Sequence, residues 1–213
     1  MTVAVVTVAY GEKYRAHLKE WAQAVAALVR QPNEVIIATD DTADALLQTL
    51  DLECAVKIFQ PVPAHRRHPQ IYANRAIEYA NTEWICRLDV DDRIYPHALN
   101  LIDTCETDVL CFGISVNGER NLQPPPVTAA EILACPHNLL FAGSPFRKAA
   151  WEKTPGYQDM LYDDWRFWRD LASIEATFTP TGTIDYEYRW SPDSSTYGID
   201  HEKERERVFA PLH

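Results

Sequence analysis

Trp84-Ile85-Cys86-Arg87-Leu88-Asp89-Val90-Asp91-Asp92 is an apolar run that ends in three acids. The run has the length and composition of a buried strand, and in an open parallel sheet ligands gather outside the carboxyl ends of the strands. Three carboxylates this close repel one another and resist dehydration unless a cation or hydrogen bonds compensate. A divalent metal carrying a phosphorylated ligand accounts for the pattern. So does an acidic strand-to-turn junction left in water, because Asp is a common turn former.

The elements upstream bear on that choice. Val3–Ala9, Glu34–Thr39 and Ala55–Phe59 are short apolar runs that read as buried strands. Tyr14, Leu18, Trp21, Val25 and Leu28 recur at the three-and-four spacing of one helical face, predicting a helix that ends at Pro32-Asn33. Ala43–Leu50 and Gln70–Asn81 are further helix candidates, separated by an irregular stretch from Pro61 to Pro69 that carries the cationic cluster His65-Arg66-Arg67-His68. The first half thus alternates strand and helix as a doubly wound sheet does.

The second half has another character. Val109–Val116 reads as a strand followed by the turn signal Asn117-Gly118. Thr128 and Glu131 form a capping box for a helix over Ala129–Ala134. Tyr162–Ser173 has helical spacing, Ile184–Trp190 alternates like a strand, and His201–Phe209 is a charged terminal helix.

The bulk composition sets outer limits. The 213 residues are 46% hydrophobic, enough for a core, and the formal net charge of -11 argues against nonspecific nucleic-acid or anionic-membrane binding. No run approaches the roughly 18 apolar residues of a membrane span, and the first residues lack the pattern of a signal peptide. The five cysteines are scattered without a CxxC pair, so reduced thiols and a cytoplasmic setting are expected rather than a zinc site.

Three acidic places can carry chemistry. Asp40-Asp41 ends the second strand, where a carboxylate accepts from a base imide or a ribose hydroxyl, or else caps the following helix. No GxGxxG or GxxxxGK[ST] follows the first strand, which disfavours a dehydrogenase or P-loop enzyme. Asp89-Val90-Asp91-Asp92 fails the EF-hand pattern, since Ile94 and Asn100 stand where Gly and Glu are required. An Asp-x-Asp array suits Mg²⁺ or Mn²⁺ held by one or two carboxylates plus substrate phosphates. Asp163-Asp164-Trp165 opens a helix, where acids favour the macrodipole; a carboxylate desolvated beside aromatics is also a candidate general base. The His65–His68 cluster fits a phosphate contact or a solvated loop. Trp151, Tyr157, Trp190 and Tyr197 fit sugar stacking or plain core.

Taken in order, these segments resemble the family 2 glycosyltransferases, which have the GT-A fold and use nucleotide-diphosphate sugars. Val5-Val6-Thr7-Val8-Ala9-Tyr10 is similar to the family's opening strand, and Glu34 through Asp41 to its second strand with base-binding acids. Ala73-Asn74-Arg75-Ala76 stands where the family usually shows Arg-Asn-x-Gly, keeping the Asn and losing the Arg. Trp84 through Asp92 resembles the strand with the metal motif. Gly143 through Lys148 and Pro155-Gly156-Tyr157 resemble the segment before the acceptor site, and Asp163-Asp164 the acidic pair whose second member is the catalytic base. The Gln-x-x-Arg-Trp signature of processive synthases is not present around Arg189-Trp190.

The resemblance implies a GT-A type, Rossmann-like α/β fold: a mixed, mainly parallel sheet flanked by helices in a single domain. Residues 1–190 would form the glycosyltransferase domain, with a nucleotide-sugar half (1–112) and an acceptor half (113–190). Residues 191–213 would be a tail with a short helix. It further implies a soluble enzyme moving a single sugar, with inversion, from a UDP- or GDP-sugar to a hydroxyl acceptor with Mn²⁺ or Mg²⁺. Asp40 or Asp41 would bind the base, Asp89 the ribose, Asp91 the metal, and Asp92 would support the metal or donor sugar. Ala9, Tyr10, Asn74 and Val90 would also touch the donor. Asp164 would be the catalytic base, with Asp163 and Trp165 as supporting residues, and Arg67 or Arg75 would stand in for the missing Arg as a phosphate or nucleobase contact. A nucleotidyltransferase, or a sugar-nucleotide-binding protein without catalysis, are the alternatives.

Overall fold

The computed structural model describes residues 1–39, 52, 54–59, 69–190 and 199–211. The expected helix Ala43–Leu50, Asp40, Asp41, the His65–His68 cluster with Arg67, and Tyr197 lie outside the described residues.

Strand β1 (Val3–Ala9) is flanked by β2 (Glu34–Thr39) and β4 (Trp84–Arg87), with β3 (Ala55–Phe59) beyond β2, and all of these pairings are parallel. Their near-continuous apolar sequence follows from burial on both faces. The period of two assigns each side chain to one of two cores. Val3, Val5, Val35, Ile37, Trp84 and Cys86 pack with helix α2 (Leu18–Ala26) through Leu18, Trp21 and Val25. Ala4, Val6, Ile36, Ala38 and Ile85 pack on the opposite face with helix α3 (Pro69–Tyr79) and helix α6 (Asp163–Ser173). Phe146 sits edge-on to Phe167 at 4.9 Å and Tyr157 lies 4.5 Å from Phe167, so an aromatic cluster anchors α6 to the sheet.

The helix expected from Tyr14 to Leu28 is interrupted. Helix α1 (Gly11–Arg15) ends where the His17 amide donates to Tyr14 rather than four residues back, and α2 then starts at Leu18.

The sheet is mixed, which corrects the expectation of mainly parallel strands: four of the described pairings are parallel and four antiparallel. In the second half β6 (Val109–Val116) and β9 (Phe178–Tyr188) are still parallel, joined by a long crossover that carries helices, and the antiparallel pairings come from short strands inserted around them. Strand β6 (Val109–Val116) turns through Asn117 and Gly118, both at positive φ, into antiparallel β7 (Arg120–Leu122). The two-residue β8 (Phe146–Arg147), which leads into helix α5 (Lys148–Trp151), pairs antiparallel with both β4 and β6. Strand β5 (Arg93–Ile94) does so with β9 (Phe178–Tyr188).

The strand expected at Ile184–Trp190 therefore begins earlier, at Phe178. Its polar start, with Pro180 and Gly182, is held against β6 across a bulge. Asp185 anchors the bulge by accepting from the Gly113 amide at 2.9 Å and the Thr183 hydroxyl at 2.8 Å. Gly113 is required there, because a Cβ would lie 2.2 Å from the Thr183 carbonyl oxygen. The capping box of Thr128 and Glu131 opens helix α4 (Ala129–Ala134) as expected.

The terminal helix α7 (His201–Val208) packs against α6 rather than trailing away. Buried Arg166 donates to the carbonyls of Val208, Ala210 and Pro211 at 3.3, 2.8 and 3.1 Å and pairs with Asp170 at 3.0 Å.

Candidate active site

A cleft of about 1470 Å³ opens at the carboxyl ends of β1 and β4. The Tyr10–Tyr14 turn follows β1 into it, and Asp89–Asp92 follows β4. The start of α6, the end of β9 and one side of α7 close it. Tyr10, Asp89, Val90, Asp91, Asp92, Asp163, Asp164 and Trp165 thus line one cavity, bringing two of the three acidic places together.

The other expected contacts lie elsewhere. Ala9 is buried under the sheet end and Arg75 is exposed on α3, neither lining the cleft. Asn74 clasps the Tyr157 backbone instead of facing the cleft: its Nδ2 donates to the Tyr157 carbonyl at 2.8 Å, and its Oδ1 accepts from the Tyr157 amide at 2.9 Å. Trp151, Tyr157 and Trp190 do not line the cleft, and Tyr157 is core, 3% exposed.

Arg87 is the hinge of the arrangement. It sits two residues after Ile85, so the strand period turns it toward the face that α6 covers. Its Nη1 lies 2.7 Å from Oδ2 of Asp163 and its Nη2 3.6 Å from Oδ1 of Asp89. Its guanidinium carbon stands 4.2 Å from the centre of the Tyr157 ring. Burial opposes the Arg87 charge, but Asp163 and Asp89 outweigh it and hold the group charged. Burial likewise pushes the Asp163 carboxyl up, against the pull of Arg87.

The remaining acids are under strain of charge. Burial raises Asp91 above the usual carboxylate range, and Asp89 adds to it. Asp92, 3% exposed, is raised further by the same causes, although its Oδ1 accepts from the Arg189 amide at 2.9 Å. Arg189 also donates through Nε to the Asp91 carbonyl and pairs with Glu20 at 2.7 Å. Burial first, and Asp163 second, push Asp164 up to about 7. A carboxyl group poised there can take a proton near neutral pH.

Among the described residues no group of three or more His, Cys, Asp or Glu side chains converges as a metal cage. The donor set still fits Mn²⁺ or Mg²⁺. The Asp91 carboxylate faces the cleft as a hard oxygen ligand whose charge is disfavoured by burial and by Asp89, a cost that a bound cation would relieve, and such ions complete their shell with substrate phosphates and water.

Arg87, Asn138, Arg189 and the cleft-lining residues of α7 carried no assigned role in the sequence. Arg87 did leave a signal, as the one charged side chain inside an apolar strand. Asn138 left none, being a loop residue outside any motif.

Comparisons with known proteins bear on the family and the fold. Residues 4–160 match the family model "Glycosyl transferase family 2", which ends just short of Asp163. Residues 1–349 of S. aureus TarS in complex with UDP-GlcNAc superpose with a TM-score of 0.70 at 18% identity, over 99% of this chain and 71% of that one. The mannosyltransferase PcManGT from Pyrobaculum calidifontis, in complex with GDP-Man and Mn²⁺, gives 0.65 at 15% identity, over 92% and 58%. At these identities the likeness is one of fold. The comparison with curated proteins gives no match. With the family model covering β1 through the approach to α6, and a GT-A fold carrying acids at the ends of its strands, this glycosyltransferase belongs to glycosyl transferase family 2.

Proposed function

We propose that the protein moves a single sugar, with inversion, from a UDP- or GDP-sugar to an acceptor hydroxyl, assisted by a divalent cation. The observation that carries this reading is the shared cleft, in which Arg87 ties Asp89 on the donor side to Asp163 beside the candidate base. Donor complexes of the fold neighbours, UDP-GlcNAc for TarS and GDP-Man with Mn²⁺ for PcManGT, support the donor class.

Residues 1–112 serve the donor and residues 113–190 the acceptor, with Asp40 or Asp41 at the base, Asp89 at the ribose and Tyr10 and Val90 alongside. Asp91 holds the cation and Asp92, fixed by the Arg189 amide, supports that shell. When bound, Mn²⁺ or Mg²⁺ neutralises charge developing on the leaving diphosphate. Asp164 takes the proton of the acceptor hydroxyl as the oxygen bonds to the anomeric carbon. The bond to the diphosphate oxygen breaks on the opposite side, its electron pair leaving with the phosphate. Trp165 screens the base from water, and Asp163 with Arg87 fixes the start of α6. A cytoplasmic setting is supported by the five free cysteines. No helix among the described residues is long and apolar enough to cross a membrane.

Calorimetric titration of UDP and GDP with and without Mn²⁺, on the wild type and Asp91→Asn, tests the donor side. Mn²⁺-dependent binding in the wild type that is lost in Asp91→Asn is expected; binding indifferent to both would refute the metal assignment.

A further inference from the structure

Asn138 reaches the candidate base from outside its helix. It lies in the connection after α4, partly buried at the cleft wall, and its Nδ2 donates to Oδ2 of Asp164 at 2.9 Å. The amide is not free to turn. Its Oδ1 accepts from the Leu140 amide at 3.3 Å, and Leu140 is itself buried in the core. This orientation presents a donor, and only a donor, to the carboxylate.

From this we infer that Asn138 is the positioning residue of the transfer reaction, holding the Asp164 carboxylate in one orientation and favouring its ionised form. The inference rests on the reading of Asp164 as the base. A donor aimed at a carboxylate stabilises the charged form, so it opposes the effect of burial. It also fixes the rotamer at a site where a small misplacement of the reacting group costs rate.

The other groups around Asp164 set the background. Asp163 on its own helix and Asp89 after β4 raise its pKa, whereas Arg87 on β4 and the Trp165 amide lower it. Tyr157 before α6, Tyr162 at its start and Tyr186 on β9 feel the Asp164 charge as well. Lys203, Glu204 and Arg207 of α7 line the same cleft. None of the hydrogen bonds from these side chains reaches the Asp164 carboxylate, which leaves Asn138 as its side-chain donor among the described residues.

The test is a titration that needs no substrate. Aspartate carboxyl carbons are labelled with ¹³C, and the Asp164 resonance is identified by its disappearance in Asp164→Asn. In Asn138→Ala the Asp164 midpoint moves up by about one pH unit, the shift expected from losing one hydrogen bond to a charged group. In Asn138→Asp it moves further, because a like charge replaces the donor. That second variant keeps an oxygen for the Leu140 amide, and so remains informative if Asn138→Ala folds poorly. An unmoved midpoint in both variants overturns the inference. Nucleotide release from UDP-GlcNAc and GDP-mannose by Asp164→Asn is read separately: persistent turnover there removes the base reading, whatever the titration shows.

Discussion

Arg87 and Asp163 form a buried ion pair, 2.7 Å between Nη1 and Oδ2, that joins the end of β4 to the start of α6. Both residues are less than a tenth exposed, so each depends on the other for compensation. Through Arg87, which also approaches Asp89, the pair sets the acids after β4 and those at the start of α6 in one frame.

Arg87→Met therefore strands the Asp163 carboxylate in the core. A loss of about 3–5 kcal/mol in unfolding free energy is expected by urea denaturation. The double variant Arg87→Met, Asp163→Asn removes the orphaned charge and recovers a large part of that loss. A single variant as stable as the wild type would show that the pair does not hold α6 to β4.

Gly156 is a second structural constraint on the site. Its φ is +71°, and a Cβ there would meet Oδ1 of Asn74 at 2.6 Å and Nε1 of Trp151 at 3.0 Å. Gly156→Ala must either strain the backbone or break the Asn74 clasp that holds Tyr157 beneath Arg87. A destabilisation of about 1–3 kcal/mol is expected. An unchanged denaturation midpoint would mean that the clasp has slack.

The raised Asp164 pKa has a definite sign in the pH dependence of stability. The folded protein holds that proton up to about 7, whereas the ordinary value is 3.8. Folding is thus favoured at low pH, and this contribution declines as pH climbs from 3.8 through about 7, after which it is constant. Asp164→Asn should raise the melting temperature at pH 8, with the gap closing toward pH 4. The comparison isolates Asp164 from Asp91, Asp92 and Asp163, which shift in the same direction. A gap that does not change with pH would contradict the raised value.

Much of the fold was legible because continuous apolar runs such as Val3–Ala9 and Glu34–Thr39 have few other uses than a doubly covered strand. The antiparallel insertions were not. Phe146–Arg147 is only two residues long, and it is a strand because β4 and β6 offer it free edges, which no local pattern encodes. The acids of the cleft stood out by their clustering. The partners of their organisers were not legible, although Arg87 stood out as a charge in an apolar strand, since Arg87 meets a partner 76 residues away and Asn138 one 26 residues away. Asn74 fitted the family pattern in sequence, yet its amide is spent on the Tyr157 backbone.

In the proposed reaction one cleft binds the donor and deprotonates the acceptor through Asp164. The most direct measurement pairs calorimetric binding of UDP-GlcNAc and GDP-mannose, with Mn²⁺, to nucleotide release by wild type and Asp164→Asn. Donor affinity is expected to stay unchanged while turnover falls at least about a hundredfold, the usual contribution of a positioned base. Full turnover in Asp164→Asn would contradict the proposal.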